Sequence, residues 1–154
     1  MKRACFAGSF DPFTKGHEDV VRRGLGLFDE VVIAIGQNST KSSYFSLESR
    51  IAHIRSLFSD TPQVKVEQIH SLTVDFCREQ NCTHILRGLR DVKDFLYEQP
   101  ILYMNRDMSG IETVFVMPAA QLLALNSTII REIYKNGGMI DSFVTNTNLL
   151  VKNA

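Results

Sequence analysis

The 154-residue sequence carries no excess of either charge: 17 Lys and Arg balance 17 Asp and Glu, a formal net charge of zero. Domains whose main task is gripping a nucleic-acid backbone have a strong basic surplus, so nucleic acid is not the expected partner. A small anion held by a few local cations is still allowed. There is no run of about 18 apolar residues, the length a helix needs to cross a bilayer, so no membrane association is expected. Met1-Lys2-Arg3 leads into only a short apolar segment, which reads as a first strand and not as a signal peptide. Cysteine is scarce and odd in number (Cys5, Cys77, Cys82), with no CxxC. That pattern suits thiols in a reducing cytoplasm and offers neither a disulfide frame nor a zinc site. Repeats, low-complexity stretches and linkers are missing too, so residues 1–154 read as one domain.

What is present is an alternation of strand and helix patterns. "RACFAG" and "EVVIAIG" are apolar runs of the kind found in parallel strands buried on both faces. "HEDVVRRGLGLF" puts Val20, Val21, Leu25 and Phe28 at helical spacing, and "SLESRIAHIRSLF" does the same for Leu47, Ile51, Ile54 and Leu57 behind a Ser46 N-cap. "QVKVEQI", "THILRG" and "ETVFVMP" supply three more strands, and "LTVDFCREQ" a short helix. "VKDFLYEQPILYMNRDM" predicts a long helix that Pro100 kinks or ends half-way. "STIIREIYKNGG" predicts a helix with Asn136 and Gly137 near its end, and the segment from Asp141 a further one. The order implies an α/β fold, a Rossmann-like doubly wound five-stranded parallel sheet with helices on both faces.

In such sheets ligands bind beyond the carboxyl ends of the strands. The loops leaving those ends are "GSFDPFTKGH", "QNSTKSSYF", "RGLRDVKD" and "PAAQLLALNST". Together they carry Ser9, Lys15, His17, Lys41, Arg87, Arg90, Ser127 and Thr128, the outline of a phosphate site in an otherwise neutral chain. The first loop is neither GxxxxGK[ST] nor GxGxxG. Taken singly, its parts have plainer readings. His17 can be a helix-start histidine, Lys41 a solvated lysine, Ser127 and Thr128 a helix cap, and Asp11 a turn residue in preference to a magnesium ligand. Asp91 and Asp94 could neutralise Arg87 and Arg90 in a structural salt-bridge network.

Three motifs in order narrow this. "GSFDPFTKGH" resembles the TxGH/HxGH motif of the nucleotidyltransferase superfamily, and "LNSTIIRE" its ISSSxxR-type motif. "RGLRDVKDFLYE" is similar to the RGLR-x3-DFxYE segment of bacterial phosphopantetheine adenylyltransferases, and the likeness runs from residue 3 to about 143. The resemblance implies transfer of AMP from ATP to 4'-phosphopantetheine, giving dephospho-coenzyme A and pyrophosphate. It also implies magnesium as cofactor, coenzyme A as a feedback inhibitor, a cytoplasmic location and a homohexamer. By residue, it implies Ser9 and Phe10 on ATP, with Ser9 also on the acceptor phosphate. His17, Lys41 and Arg90 are implied as the catalytic set, with Lys41 and Arg87 on the acceptor's phosphate and Thr73 or Val74 on its pantetheine arm. Gly88, Leu89, Arg90 and Glu98, with Leu122, Leu123, Ala124, Leu125, Asn126, Ser127 and Thr128, are implied around the nucleotide. Ala7 departs from a proline common in that family, "LNST" from a serine run, and Leu122-Leu123 from a bulkier aromatic pattern. Two alternatives stay open: another small nucleotidyltransferase, cytidylyltransferase-like, or a regulator that binds nucleotide without turnover.

Overall fold

A computed structural model describes residues 1–36 and 42–154. Its centre is an all-parallel sheet of β1 (Arg3–Gly8), β2 (Glu30–Gly36), β3 (Val64–Ile69), β4 (His84–Gly88) and β5 (Glu112–Val116), in the order β3-β2-β1-β4-β5. The helices are α1 (Lys15–Gly24), α2 (Leu47–Leu57), α3 (Thr73–Glu79), α4 (Val92–Ser109) and α5 (Ser127–Lys135). The five expected strands are all there, and their continuous apolar runs have a simple cause. Ala4, Phe6, Val31, Ile33 and Ile35 pack against Val20 and Val21 of α1 and Ile54 and Leu57 of α2 on one face. The alternate residues Cys5, Ala7, Val32 and Ala34 pack against Val74, Phe76 and Cys77 of α3 on the other. Both faces are covered, so no position in β1 or β2 needs to be polar.

The chain builds β1, β2 and β3 outward in one direction, then crosses to β4 and β5 on the far side of β1. With right-handed crossovers this puts α1 and α2 on one face and α3 and α4 on the other. The reversal lies between β1 and β4. Their ladder pairs Ala4 with His84 and Cys5 with Ile85 only, whereas β1 pairs with β2 along its full length. Past Cys5 and Ile85 the two strands separate, and a crevice opens at their carboxyl ends.

Two expectations need correction. Of the two outcomes expected at Pro100, an end to the helix does not occur: α4 continues past it, for 18 residues in all. The missing Pro100 N–H deprives the Leu96 carbonyl of its helical partner, but Leu96 is exposed, so water can take its place. The tail from Asp141 is not a helix. Phe143 N and Val144 N donate to Ile140 O in a single turn, and only Thr147–Leu149 forms a further 3-10 turn. Ile140, Val144 and Leu150 are instead buried with Phe45 and Ile130 in a third apolar cluster. Ser46 N to Val151 O and Asn153 N to Tyr44 O tie the tail to the segment before α2.

Candidate active site

The crevice between β1 and β4 holds a cavity of about 410 Å³. Gly8, Ser9, Phe10 and His17 reach it from the β1–α1 loop, and Arg87, Gly88 and Arg90 from the end of β4. Glu98 comes from α4, and Leu122, Leu125, Asn126, Ser127 and Thr128 from the approach to α5. Three strand-exit loops and one helix thus meet where the topology reverses. Lys41 lies outside the described residues. Leu89, Leu123 and Ala124 neighbour the lining without joining it, though Leu89 N ties the β4–α4 turn to Val116 O of β5. Thr73 and Val74 do not line the cavity: Thr73 starts α3, and Val74 is buried in the core below that helix. Lys15 points away, its ammonium donating to Asp141 O at 2.9 Å.

His17 is the third residue of α1, and Thr14 is the N-cap. The Thr14 hydroxyl accepts from His17 N, and His17 Nδ1 accepts from Thr14 N at 3.0 Å. This is a capping box with histidine in the place usually held by Glu or Gln. It also fixes the imidazole's chemistry. A ring nitrogen that accepts from an amide carries no proton, so the proton sits on Nε2. Around the ring stand Phe10 and Phe13, with centroids 5.2 and 5.3 Å away, and Phe6 at 6.2 Å. That apolar box disfavours the cation, and the Arg90 charge adds to it, so the pKa drops to about 4. His17 is therefore a neutral Nε2–H donor at pH 7. Phe10 takes a positive φ of 46° to bring its ring against His17, and a Cβ on Gly8 would lie 2.9 Å from that ring. Thr14 is the first residue of the TxGH motif, which assigns it no role; here it caps the helix and fixes the imidazole.

The arginines have partners already. Arg87 bridges the separated strands, donating from NH1 to Ala7 O at 2.6 Å, with Nε 3.3 Å from Glu98. Arg90 is gripped by Asp94 and also donates to Leu125 O. The positive charge read along this edge is thus balanced by Asp94 and Glu98 within the cavity. The network considered from the sequence exists, with Glu98 in place of Asp91 as the partner of Arg87.

The remaining loops are sewn to one another. Asp11 is buried, and its carboxylate accepts from Tyr44 N at 2.7 Å and Phe45 N at 2.9 Å. Arg50, buried on α2, donates to Ser9 O and to Phe45 O. Ser127 Oγ donates to Pro12 O at 2.9 Å, joining α5 to the β1–α1 loop. The cap of α5 is Asn126, whose Oδ1 accepts from Thr128 N and Ile129 N. Ser127 and Thr128 are accordingly the first helical residues, not the cap.

This arrangement can be set beside known proteins. A family described as cytidylyltransferase-like matches residues 5–133. A phosphopantetheine adenylyltransferase of Flavobacterium johnsoniae is 46% identical over 144 residues, covering 94% of this chain and 95% of its own. This chain belongs to the phosphopantetheine adenylyltransferase family. A second relative of that name, from Bacteroides fragilis, is also 46% identical, over 94% of this chain and 96% of its own. Among solved structures, the fold matches a bifunctional NMN adenylyltransferase/ADP ribose pyrophosphatase from Francisella tularensis. That match has a TM-score of 0.72 at 20% identity and covers 97% of this chain but 46% of the larger protein. The phosphopantetheine adenylyltransferase likeness covers 94% of this chain, and the cavity draws lining residues from each of the three motifs.

Proposed function

We propose that this chain transfers AMP from ATP to 4'-phosphopantetheine, forming dephospho-coenzyme A and pyrophosphate. Family membership supports the reaction. The observation that carries it structurally is the convergence of a neutral His17 donor with Arg87 and Arg90 in one cavity at the strand reversal. An oxygen of the acceptor phosphate attacks the α-phosphorus, and the bond to the β-phosphate oxygen breaks, its electron pair leaving with pyrophosphate. The attacking oxygen belongs to a phosphate monoester with a second pKa of about 6, so it needs no general base. Catalysis then rests on in-line placement and on donors aimed at developing charge. His17 Nε2–H and Arg90 serve the α-phosphate. Arg87, Ser9 and Lys41 hold the acceptor phosphate, and Thr73 or Val74 flanks the pantetheine arm. Leu122 to Thr128, with Phe10, Gly88, Leu89 and Glu98, surround the nucleotide.

Magnesium belongs to this proposal through the nucleotide. Among the described residues no group of three or more His, Cys, Asp or Glu is placed to hold a metal, and the cavity's Asp94 and Glu98 are engaged by arginines. Phosphate oxygens and water are the usual ligands of a magnesium that arrives with ATP. Self-association, proposed here as a homohexamer, is supported by α4, which has no buried residue and exposes Val92, Leu96, Met104 and Met108, more apolar surface than one helix of a monomer usually shows. The mass by light scattering tests this, and a monomer would reject it. Coenzyme A, which has both halves of the product, is proposed to inhibit by occupying the same cleft. A cytoplasmic setting accords with three free cysteines.

Purified protein with ATP, magnesium and 4'-phosphopantetheine should release pyrophosphate and form dephospho-coenzyme A. No product at micromolar enzyme would defeat the proposal. Turnover with CTP and another acceptor would favour the cytidylyltransferase-like alternative.

A further inference from the structure

Asp94 has no role in the reaction as set out above, yet its carboxylate makes more bonds to Arg90 than any other group does. Oδ2 accepts from Arg90 N and from Arg90 Nε, both at 2.9 Å, and Oδ1 accepts from NH2 at 3.0 Å. One carboxylate therefore clamps both the main chain and the guanidinium of the same residue. Asp94 is itself fixed, because its own N–H donates to Asp91 Oδ1, the N-cap of α4. On the far side Arg90 NH1 donates to Leu125 O at 3.1 Å. The guanidinium has five N–H donors in a planar fork. Asp94 takes the Nε edge and Leu125 one N–H of NH1, so one N–H on each terminal nitrogen is left for a ligand. By contrast, Arg87 meets Glu98 through a single 3.3 Å approach.

We propose that Asp94 is a positioning residue that sets the direction of the Arg90 fork before substrates bind, so that its uncommitted N–H groups face the phosphate path. This rests on the reaction proposed above. The Arg90 hydrogen bond also holds the Asp94 carboxyl below the usual carboxylate range, so the clamp is intact at neutral pH. Lysine could not replace Arg90, since a point charge cannot answer a bidentate carboxylate and keep a defined direction.

The test compares Asp94→Asn, Asp94→Glu and Asp91→Asn with the wild type. Asn caps a helix as well as Asp does, so Asp91→Asn removes a charge from the same turn while sparing the clamp. Asp94→Asn should lower kcat about 10- to 100-fold, the cost of misplacing a catalytic group by about 1 Å, with a smaller change in KM for ATP. Asp94→Glu should recover part of the loss, and Asp91→Asn should keep wild-type kcat. In NMR spectra the Arg90 Nε–H should exchange slowly in the wild type and in Asp91→Asn, and rapidly in Asp94→Asn. Unchanged kcat in Asp94→Asn, or an equal loss in Asp91→Asn, would overturn the inference. A wild type that makes no dephospho-coenzyme A would defeat the reaction and the clamp's purpose in it, while the Nε–H resonance would still report whether the clamp exists.

Discussion

The most discriminating consequence of the site concerns the charge of His17. Its pKa falls from 6.5 to about 4, and at about 1.4 kcal/mol per unit this places up to roughly 3 kcal/mol of folding stability under pH control. The sign follows from proton counting. Between pH 4 and 6.5 the unfolded chain holds a proton on this histidine and the folded chain does not, so stability rises with pH across that window. It is complete above 6.5 and is lost as pH falls toward 4. His53 adds a slope of the same sign, since burial lowers its pKa too, so a substitution is needed to separate the two. His17→Gln is the right one. Glutamine at the third helical position can still accept from Thr14 N and close the capping box, but it cannot titrate. Urea unfolding at pH 7 and pH 4.5 should show wild type losing about 2–3 kcal/mol more than His17→Gln over that interval. In NMR, the His17 resonance, assigned by its disappearance in the variant, should not titrate above pH 5. A midpoint near 6.5, or equal pH dependence in the two proteins, would refute the neutral-donor argument. As an activity counterpart, His17→Ala should lower kcat by about 10²–10³ while the protein stays folded, as expected when a donor to developing charge is lost.

Arg87→Ala should raise KM for the phosphorylated acceptor more than KM for ATP, because Arg87 stands against Ala7 O at the β1 side of the crevice. If steady-state kinetics show only the ATP term moving, Arg87 serves the wrong phosphate in this account. Asn126→Ala should cost about 0.5–2 kcal/mol in urea unfolding through loss of the α5 cap, and no loss would mean that the N–H groups of Thr128 and Ile129 find other partners without cost.

The strands were legible because burial on both faces leaves an unmistakable run of apolar residues, and the loops were legible because a parallel sheet sends all its carboxyl ends to one edge. Long-range pairing was not. Ile140 and Val144 stand four apart and look helical, but the single turn they form stops before Asn146 at φ 53°. Their burial depends on Phe45 and Ile130, which no local pattern announces. Arg50, on which the sequence pattern gives no reading, is fully buried because the carbonyls of Ser9 and Phe45 come to it. Asp11 is the turn residue that was expected, and its carboxylate is also a cross-link between loops 33 residues apart.

The charge pattern of the cavity follows from the same physics. Two arginines and a histidine in a partly enclosed crevice would repel one another in the ligand-free protein if all were charged and bare. Two carboxylates and a neutral imidazole remove that cost. The price is that a phosphate cannot simply add to a positive site; it must compete with Glu98 for Arg87 and share Arg90 with Asp94. Because both arginines are already partly desolvated and oriented, phosphate binding would replace Glu98 at Arg87, add to the uncommitted N–H groups of Arg90 and need little further ordering. Geometry, and not net charge, then decides which anions the cavity accepts. A chain of zero formal charge can for that reason still select a small polyanion.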